Sequence, residues 1–205
     1  MKALRCLRTV AAASLVAAAA CSPAAAEPAA HVTMWSQIGD YIGAGGLWDL
    51  DYSPGTSHWF QVHVWNAIDG VPSNLEFVLG TSTPDLSNSS MKLAISTDQL
   101  RRGIEIGPYL RASGMPPLGH ARLYVSFQNR GCGAGTYGAF VVHEFRYADA
   151  ATLDRLVLGF KQACEGSTKD LYGIFWYDAS GQPPRIGDAT RAAIVDALRA
   201  QPARP

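Results

Sequence analysis

The chain is poor in charge, and the charge it carries is balanced. Charged residues make up 17% of its 205 residues, with 17 lysines and arginines against 17 aspartates and glutamates. Without Lys2, Arg5 and Arg8, the only charged residues among the first 26, 14 basic residues face 17 acidic ones, a net charge of −3. We therefore expect no basic surface of the kind that binds nucleic acid or an anionic membrane.

The motifs of common catalytic and cofactor sites are missing. There is no Gly-x-Ser-x-Gly and no Cys-x-x-Cys, and the five histidines lack metal-ligand spacing. His143-Glu144 begins like a zinc-protease helix, but Tyr147 stands where the second histidine is needed. The glycine-rich segments 43–46 and 131–135 lack the Lys-Ser/Thr of a phosphate-binding loop. The sequence thus predicts no metal and no cofactor, and it favours a protein that is not an enzyme.

Cysteine is scarce. Cys6 and Cys21 fall in or beside the N-terminal targeting segment, which leaves Cys132 and Cys164. An oxidising compartment favours a disulfide between these two, which would stabilise the fold by about 3–4 kcal/mol. The alternative is a metal or redox pair, although two separated thiols without a matching histidine set make a poor zinc site.

Long hydrophobic runs are limited to the N-terminus. Met1–Arg8 is basic, Thr9–Ala20 is apolar but too short to span a membrane, and Ala24–Ala26 forms an A-x-A site before Glu27. These features predict that residues 1–26 are a signal peptide, that the protein is exported, and that the mature chain has no membrane-spanning segment.

Cys21 allows a second interpretation of the same segment. Val16–Ser22 resembles a bacterial lipobox, in which Cys21 is lipidated and becomes the mature N-terminus, although Ala18 replaces the usual leucine. A lipid anchor would then tether the domain to a membrane. The other interpretation is that Cys21 is an incidental residue of the discarded peptide.

Beyond the targeting segment, apolar and polar residues alternate in short runs that break at turn residues such as Asp69-Gly70. One such run alternates Leu123, Val125 and Phe127 with polar residues. This pattern predicts a mainly β fold over residues 31–180, an antiparallel β-sandwich that is jelly-roll-like or related.

The C-terminal residues 181–205 have a different pattern. Pro183-Pro184 indicates a linker, and Asp188 is a candidate cap for a short α-helix over residues 189–200. We expect its apolar side, which is formed by Ile194, Val195 and Leu198, to pack on the sandwich, and the tail from residue 201 to be loose.

Aromatic residues are the main surplus, with 5 Trp, 8 Tyr and 7 Phe. The run from Trp59 to Trp65 alternates an apolar side with a side that carries two tryptophans. The apolar side is Phe60, Val62 and Val64, and the other side is Trp59, Gln61, His63 and Trp65. If the apolar side is core, the other, together with Trp48, is a candidate carbohydrate-binding surface. The alternative is that both sides are buried, or that the C-terminal helix covers the tryptophans.

Acidic residues supply a second kind of candidate site. Asp49 and Asp51 lie two residues apart, so on a strand they face the same side. They are candidates for a calcium site or for the paired acids of a hydrolase, with Glu144 as a further acid from a distant segment. The alternative is an ordinary solvated sheet face.

Several segments resemble motifs of a family of secreted bacterial β-domains that has no established activity. They are the GDYIGxG segment at residues 39–45, the RGC step at 130–132, GxFxVxE at 138–144, FxQxCEG at 160–166 and LxG from Leu171. The resemblance covers residues 35–180. Ala163 replaces a usual histidine and Trp176 a usual arginine. The resemblance implies the β fold, export and the joint presence of Cys132 and Cys164.

Six motif residues are expected to have structural roles. They are Gly39, Asp40, Arg130, Glu144, Gln162 and Glu165. We expect Glu165 to pair with Arg130 and Gln162 to bond a neighbouring backbone edge. Glu144 alternates with apolar residues and is expected to point inward, with Arg146 or Arg155 as its partner.

Taken together, the sequence favours an exported, non-enzymatic β-domain of the cell envelope or the secreted fraction. It would be periplasmic, lipid-anchored or extracellular, and its partner would be a glycan or an envelope protein. One alternative is a carbohydrate-binding module that uses exposed tryptophans. The other is a hydrolase whose carboxylates are assembled from loops.

Overall fold

The computed structural model describes residues 26–56, 58–81, 91–182 and 186–200, which contain eleven strands and one α-helix. The strands are β1 (Ala29–Ser36), β2 (Leu47–Tyr52), β3 (His58–Ile68), β4 (Val71–Thr81), β5 (Met91–Ser96), β6 (Gly107–Ser113), β7 (Arg122–Phe127), β8 (Arg130–Gly131), β9 (Thr136–Asp149), β10 (Thr152–Cys164) and β11 (Leu171–Asp178). The helix is α1 (Asp188–Arg199).

All strands belong to one sheet, in the order β2-β1-β11-β10-β9-β6-β7-β5-β4-β3, with β8 beside β7. Neighbouring strands are antiparallel except β6 and β7, which pair in parallel through Ser113 and Arg122. The sheet folds back on itself, because side chains of strands far apart in this order touch. The rings of Phe77 on β4 and Phe175 on β11 lie 4.5 Å apart. The predicted mainly β fold, with a sandwich-like core and a short C-terminal helix, is confirmed.

Alternating side chains fill the space between the two halves of the sheet. On β7, Leu123, Val125 and Phe127 are buried while the residues between them are half-exposed, as the period-two pattern predicts. The predicted turn Asp69-Gly70 joins β3 to β4, with both residues in the left-handed region at φ 53° and 79°. Two left-handed residues are what a tight hairpin of this length needs.

Helix α1 packs on the outer side of the sheet against β9 and β10. Its Ile194 and Leu198 are buried there against Val157 and Trp176. A side chain at Gly159 would overlap Ile194, so the glycine lets the helix approach the strand. This second, outer cluster explains why β10 is buried on both faces.

The helix begins one residue earlier than the predicted range. Gly187 occupies the cap position and Asp188 is the first helical residue, so the predicted capping role of Asp188 is wrong. Its carboxylate instead lies in the first turn, where negative charge suits the helix dipole. The predicted apolar side is confirmed, since Ile194 and Leu198 are buried and Val195 packs against the same cluster.

Part of the predicted organisation lies outside the described residues. Residues 1–25, with Cys6 and Cys21, and the segments 183–185 and 201–205 belong to this part. The signal peptide, the lipid anchor, the proline linker and the loose tail therefore stay predictions. Within the described ranges, no helix is both long and apolar enough to cross a membrane.

A buried glutamine bridges two strands that are not neighbours in the sheet. Gln162 on β10 is fully buried, and its Oε1 accepts a hydrogen bond of 2.7 Å from Val125 N on β7. Its Nε2 donates one of 2.8 Å to Val125 O. The amide therefore replaces a neighbouring strand for Val125, and the prediction that Gln162 bonds a backbone edge is confirmed.

Two cysteines join the same region of the fold. Cys132 follows β8 and Cys164 ends β10; their sulfurs are at disulfide distance and their Cα atoms lie 5.1 Å apart. That separation is normal for a disulfide. The predicted pairing of the two cysteines is confirmed, and the bridge links the β7–β8 hairpin to the end of β10 only two residues beyond Gln162.

Candidate functional site

The outer side of β3 carries the tryptophans singled out above. Phe60, Val62 and Val64 pack against the main core, as predicted, so the alternate residues face outward. We call these outward residues the β3 aromatic face: they are Trp59, Gln61, His63 and Trp65. Helix α1 does not cover this face, because it packs on β9 and β10, on another part of the sheet.

Trp65 is the most exposed member of the face. Its side chain is 59% exposed, and its ring stacks on that of His63 with centroids 5.2 Å apart and planes 21° apart. Trp59 is half-buried, and its ring lies against Gly80 on β4, where a side chain would overlap it. The face thus has one exposed indole ring, which stacks on an imidazole, and a second indole ring, which packs against the neighbouring strand.

Trp48 does not belong to this face. It lies on the core side of β2, where its ring is 4.8 Å from that of Phe127 and its Nε1 donates to Gly43 O at 3.3 Å. The prediction that Trp48 joins an exposed binding surface is therefore wrong. The reason is strand alternation, since the residues of β2 that face solvent are Leu47, Asp49 and Asp51.

A polar cluster that the sequence did not indicate begins at the residue after Trp65. The carboxylate of Asp98 accepts hydrogen bonds from Asn66 Nδ2 (3.0 Å), Ser73 Oγ (2.6 Å) and Asn74 Nδ2 (3.3 Å). Ser96 Oγ in turn accepts one of 3.1 Å from Asp98 N. We call these five residues the Asp98 cluster. Partial burial raises the pKa of Asp98, but the bonds from Ser73, Asn66, Ser96 and Asn74 outweigh burial and lower it below the usual value.

Because the pKa of Asp98 is lowered by folding, its stabilising effect requires the ionised carboxylate. That effect is fully present above the unfolded pKa, near 3.8, and is lost as the pH falls through the lower folded pKa. We expect Asp98→Asn to lower the free energy of unfolding by about 1–3 kcal/mol at pH 7, and the difference from wild type to shrink in acid. Urea titrations at pH 7 and at steps below pH 4 measure this.

The exposed Asp196 on α1 supplies the control for that experiment, since Asp196→Asn is expected to change stability by less than about 0.5 kcal/mol. A wild-type advantage over Asp98→Asn that stays constant down to the acid limit would contradict the role given to the carboxylate.

Strands β2 and β3, which are the two edges of the sheet, meet at a seam. The two strands are joined there by a 2.6 Å hydrogen bond between His58 Nδ1 and Asp51 O, and the rings of Tyr52 and His58 lie 5.3 Å apart. A cleft of about 340 Å³ opens at this point, lined by ten residues of segments 27–28, 52–56 and 58–60. We call it the seam cleft. Trp59 belongs both to its lining and to the β3 aromatic face.

Tyr52 is the buried residue of the seam cleft. Its hydroxyl is enclosed and has no hydrogen-bond partner within the described residues. Burial raises the pKa of Tyr52 to about 12, so the hydroxyl keeps its proton at any physiological pH.

The candidate acids Asp49 and Asp51 are occupied by local contacts. Asp49 Oδ1 accepts hydrogen bonds of 2.8 Å from both His31 Nε2 and Thr33 Oγ1. The bond from Thr33 lowers the pKa of Asp49, and His31 lowers it further. Asp51 Oδ1 accepts bonds from the backbone and hydroxyl of Ser53, at 3.0 and 2.6 Å. The described residues contain no group of three or more side chains that could hold a metal ion.

Glu144 faces outward, contrary to the prediction. A β-bulge in β9 places Glu144 opposite Val157 and Val142 opposite Leu158, so His143 is an extra residue. The extra residue inverts the alternation, and Phe145 takes the inward position instead. The predicted partners are correct, since Glu144 Oε1 lies 3.2 Å from Arg155 Nε and 3.5 Å from Arg146 Nε.

The remaining motif residues organise loops. Gly39 takes φ 90° in the β1–β2 loop. The buried Asp40 follows it and accepts a 2.5 Å hydrogen bond from Gly43 N, while burial raises the pKa of its carboxyl. Arg130 donates to Gln128 at 3.0 Å, and no ion pair joins it to the exposed Glu165, although the structure describes both residues. The predicted Arg130–Glu165 pair is therefore wrong.

Comparisons of the chain with protein-family models, with curated proteins and with solved structures found no match.

Proposed function

We propose that the protein is an exported, non-enzymatic binding module that holds a carbohydrate on the β3 aromatic face. The observation that carries this proposal is the exposure of Trp65, whose ring is stacked on that of His63. The next residue in the chain, Asn66, belongs to the Asp98 cluster.

An open indole plate suits a sugar because a pyranose ring has one face of C–H groups that packs on an aromatic ring. His63 limits the rotation of the plate before any ligand arrives, which lowers the entropy lost on binding. An ion pair lies beside the face. The ion pair between Lys92 and Glu76, 2.9 Å apart, lies on the two strands beyond it, and Glu76 is opposite His63 in the sheet. Sugar hydroxyls need such neighbouring donors and acceptors.

A hydrolase is the weaker alternative because its candidate acids serve other contacts. A glycosidase needs one carboxyl group whose raised pKa keeps it protonated. The pKa of Asp49 is instead lowered by Thr33 and His31, and Glu144 lies between two arginines. These contacts favour a binding role for the surface over a catalytic one.

Export is the part of the proposal that rests on the N-terminal pattern of residues 1–26. The Cys132–Cys164 pair at disulfide distance supports it, because such bonds persist in oxidising compartments. Whether the mature chain begins at Glu27 or at a lipidated Cys21 changes its attachment to the envelope but leaves the β3 aromatic face unchanged. Mass spectrometry of the mature N-terminus distinguishes the two.

The direct test is Trp65→Ala. We expect the wild-type protein to bind a neutral oligosaccharide from a panel of envelope and plant glycans, and the variant to bind it about 10–30-fold more weakly, as is usual when a central aromatic contact is truncated. Isothermal titration calorimetry measures the affinity, and tryptophan fluorescence of wild type reports contact with the ring.

Tyr41→Ala is the matched control. Tyr41 is 57% exposed, lies in the β1–β2 loop and is an equally open aromatic residue outside the face. Its loss should leave the affinity within twofold of wild type. Absence of binding across the panel, or equal losses in the two variants, would reject the carbohydrate function and favour an envelope protein as the partner.

A further inference from the structure

A row of polar residues crosses four strands on the outer side of the sheet, beginning at the residue after Trp65. Asn66 on β3 lies opposite Asn74 on β4. Ser96 on β5 is opposite Asn74, and Arg122 on β7 is opposite Ser96. Residues that are opposite each other in paired strands point to the same side of the sheet. We call these four residues the polar row; it joins the exposed indole ring to β7.

Asp98 fixes which end of each asparagine amide is free. Its carboxylate accepts hydrogen bonds from Nδ2 of Asn66 and of Asn74, at 3.0 and 3.3 Å. An ionised carboxylate only accepts, so the amide nitrogens must face it and the two Oδ1 atoms are turned away from it. Neither Oδ1 accepts a hydrogen bond within the described residues; Asn66 is exposed, and Asn74 Oδ1 is not enclosed. The two amides therefore offer acceptors to solvent.

Arg122 offers donors at the other end of the row. Its side chain is half-buried, and it forms no ion pair and no hydrogen bond with another side chain in the described part of the chain. Its Nε is the guanidinium nitrogen that is enclosed, so Nη1 and Nη2 are open to solvent. Ser96, between Arg122 and the asparagines, is buried and is not a contact for a ligand.

These groups define the chemistry of a ligand. The positive charge of Arg122 balances the negative charge of Asp98, and Lys92 balances Glu76 in the ion pair nearby, so the surface favours a neutral ligand. A sugar hydroxyl both donates and accepts, which matches acceptors at one end of the row and donors at the other. Three strand spacings of about 4.8 Å separate β3 from β7, about 14 Å in all, which is longer than one sugar ring.

We propose that the polar row is the hydrogen-bonding half of the glycan site, and that a neutral oligosaccharide crosses the strands from Trp65 on β3 to Arg122 on β7. This inference rests on the proposed carbohydrate function. Asn66 and Asn74 accept hydrogen bonds from the hydroxyl groups of the sugar that stacks on Trp65. Arg122 donates to a sugar further along the same chain.

Asn66→Ala tests the acceptor end. The probes are the hexasaccharides of β-1,4-linked glucose, mannose and xylose, together with the methyl glycosides of these three sugars. We expect the variant to bind the hexasaccharide that wild type prefers, and its methyl glycoside, about 3–10-fold more weakly, which is the usual effect of one lost hydrogen bond. A purely structural role for Asn66 predicts a lower melting temperature and unchanged affinity for both probes.

Arg122→Met tests the donor end and the direction of the glycan. Methionine keeps the apolar stem and removes the enclosed Nε that has no partner, so the melting temperature is expected to stay the same or to rise. We expect the hexasaccharide to bind about 3–10-fold more weakly. The methyl glycoside occupies only the Trp65 end, so its affinity should stay within twofold of wild type.

Gln99→Ala is the matched control. Gln99 is an exposed amide that directly follows Asp98 in the chain but lies outside the Asp98 cluster and the polar row. Its loss should leave the affinity for both probes within twofold of wild type. Calorimetry measures the hexasaccharide, and chemical-shift titration measures the weaker methyl glycoside.

The outcomes separate the two proposals. If Trp65→Ala weakens binding while Asn66→Ala and Arg122→Met do not, the carbohydrate function stands and the polar row has no part in it. If Arg122→Met weakens the methyl glycoside as much as the hexasaccharide, the direction assigned to the glycan is wrong. If wild type binds none of the probes, or Trp65→Ala leaves binding unchanged, the carbohydrate site on the β3 aromatic face is overturned and this inference with it.

Discussion

Replacing Gln162 by leucine is expected to lower the free energy of unfolding by about 2–5 kcal/mol. The volume of the side chain is nearly kept, so the main loss is the pair of hydrogen bonds to Val125, at 2.7 and 2.8 Å. Val125 N and O would be left buried and without partners, and each such group costs about 1–3 kcal/mol. Urea unfolding followed by circular dichroism measures the difference.

Gln61 allows the same substitution where no such contact exists. It lies on the outer side of β3 and is exposed, so Gln61→Leu should change stability by less than about 0.5 kcal/mol. A small effect of Gln162→Leu, equal to that of Gln61→Leu, would show that water or a local shift satisfies Val125 without the amide.

Gln162→Glu tests the contribution of the donor, Gln162 Nε2. An ionised glutamate can accept from Val125 N but cannot donate to Val125 O, and its burial raises its pKa. A carboxyl group with a raised folded pKa gains stability as the pH falls from that pKa toward the unfolded value near ~4.3. The stability of Gln162→Glu should therefore approach that of wild type in mild acid. A deficit that is constant with pH would contradict the donor role.

The bridging role of Gln162 was predictable from sequence, but its partner was not. Its position after Leu156, Leu158 and Phe160 marks a polar residue on the inward side of a strand, and such a residue needs a hydrogen-bond partner. Val125 lies 37 residues earlier, on a strand that is not adjacent in the sheet. Only the folding of the sheet on itself brings the two together.

The wrong predictions for Glu144 and Trp48 both concern which side of a strand the residue faces. Alternation assigns sides correctly only while the strand is regular, and the extra residue His143 inverts the sides within β9. No turn residue marks this bulge in the sequence. For Trp48 the alternation was regular, and it already indicated the core side of β2, because Trp48, Leu50 and Tyr52 alternate with Asp49 and Asp51. The error was to group Trp48 with the exposed tryptophans of β3.

The candidate site, like the fold, was predictable from the sequence only in part. The orientation of Trp65 followed from the apolar residues between the tryptophans, which identify the core side of β3. The Asp98 cluster was missed because its members come from β3, β4, the last residue of β5 and the 3₁₀ turn that follows it, and they meet only through strand pairing. The seam cleft depends on the closure of the sheet between β2 and β3, which no local pattern predicts.

Replacing both Cys132 and Cys164 by serine is expected to lower the free energy of unfolding by about 3–4 kcal/mol. The two residues are 32 positions apart, and opening a loop of this length increases the entropy of the unfolded chain by that amount in the chain-entropy model. Urea unfolding of the double variant measures the loss, and wild type in reductant should show a similar one. Reductant should have no effect on the double variant, which is the control.

The disulfide and Gln162 are expected to act together, because both connect β10 to the β7–β8 hairpin and they lie two residues apart. Without the disulfide, the end of β10 can move away from β7, and the amide then holds Val125 less firmly. The cost of Gln162→Leu should therefore be smaller by about 0.5–3 kcal/mol in the cysteine-free background than in wild type. Strictly additive losses would mean that strand pairing with β5 and β6 is enough to position the hairpin, and that the two connections stabilise the fold independently.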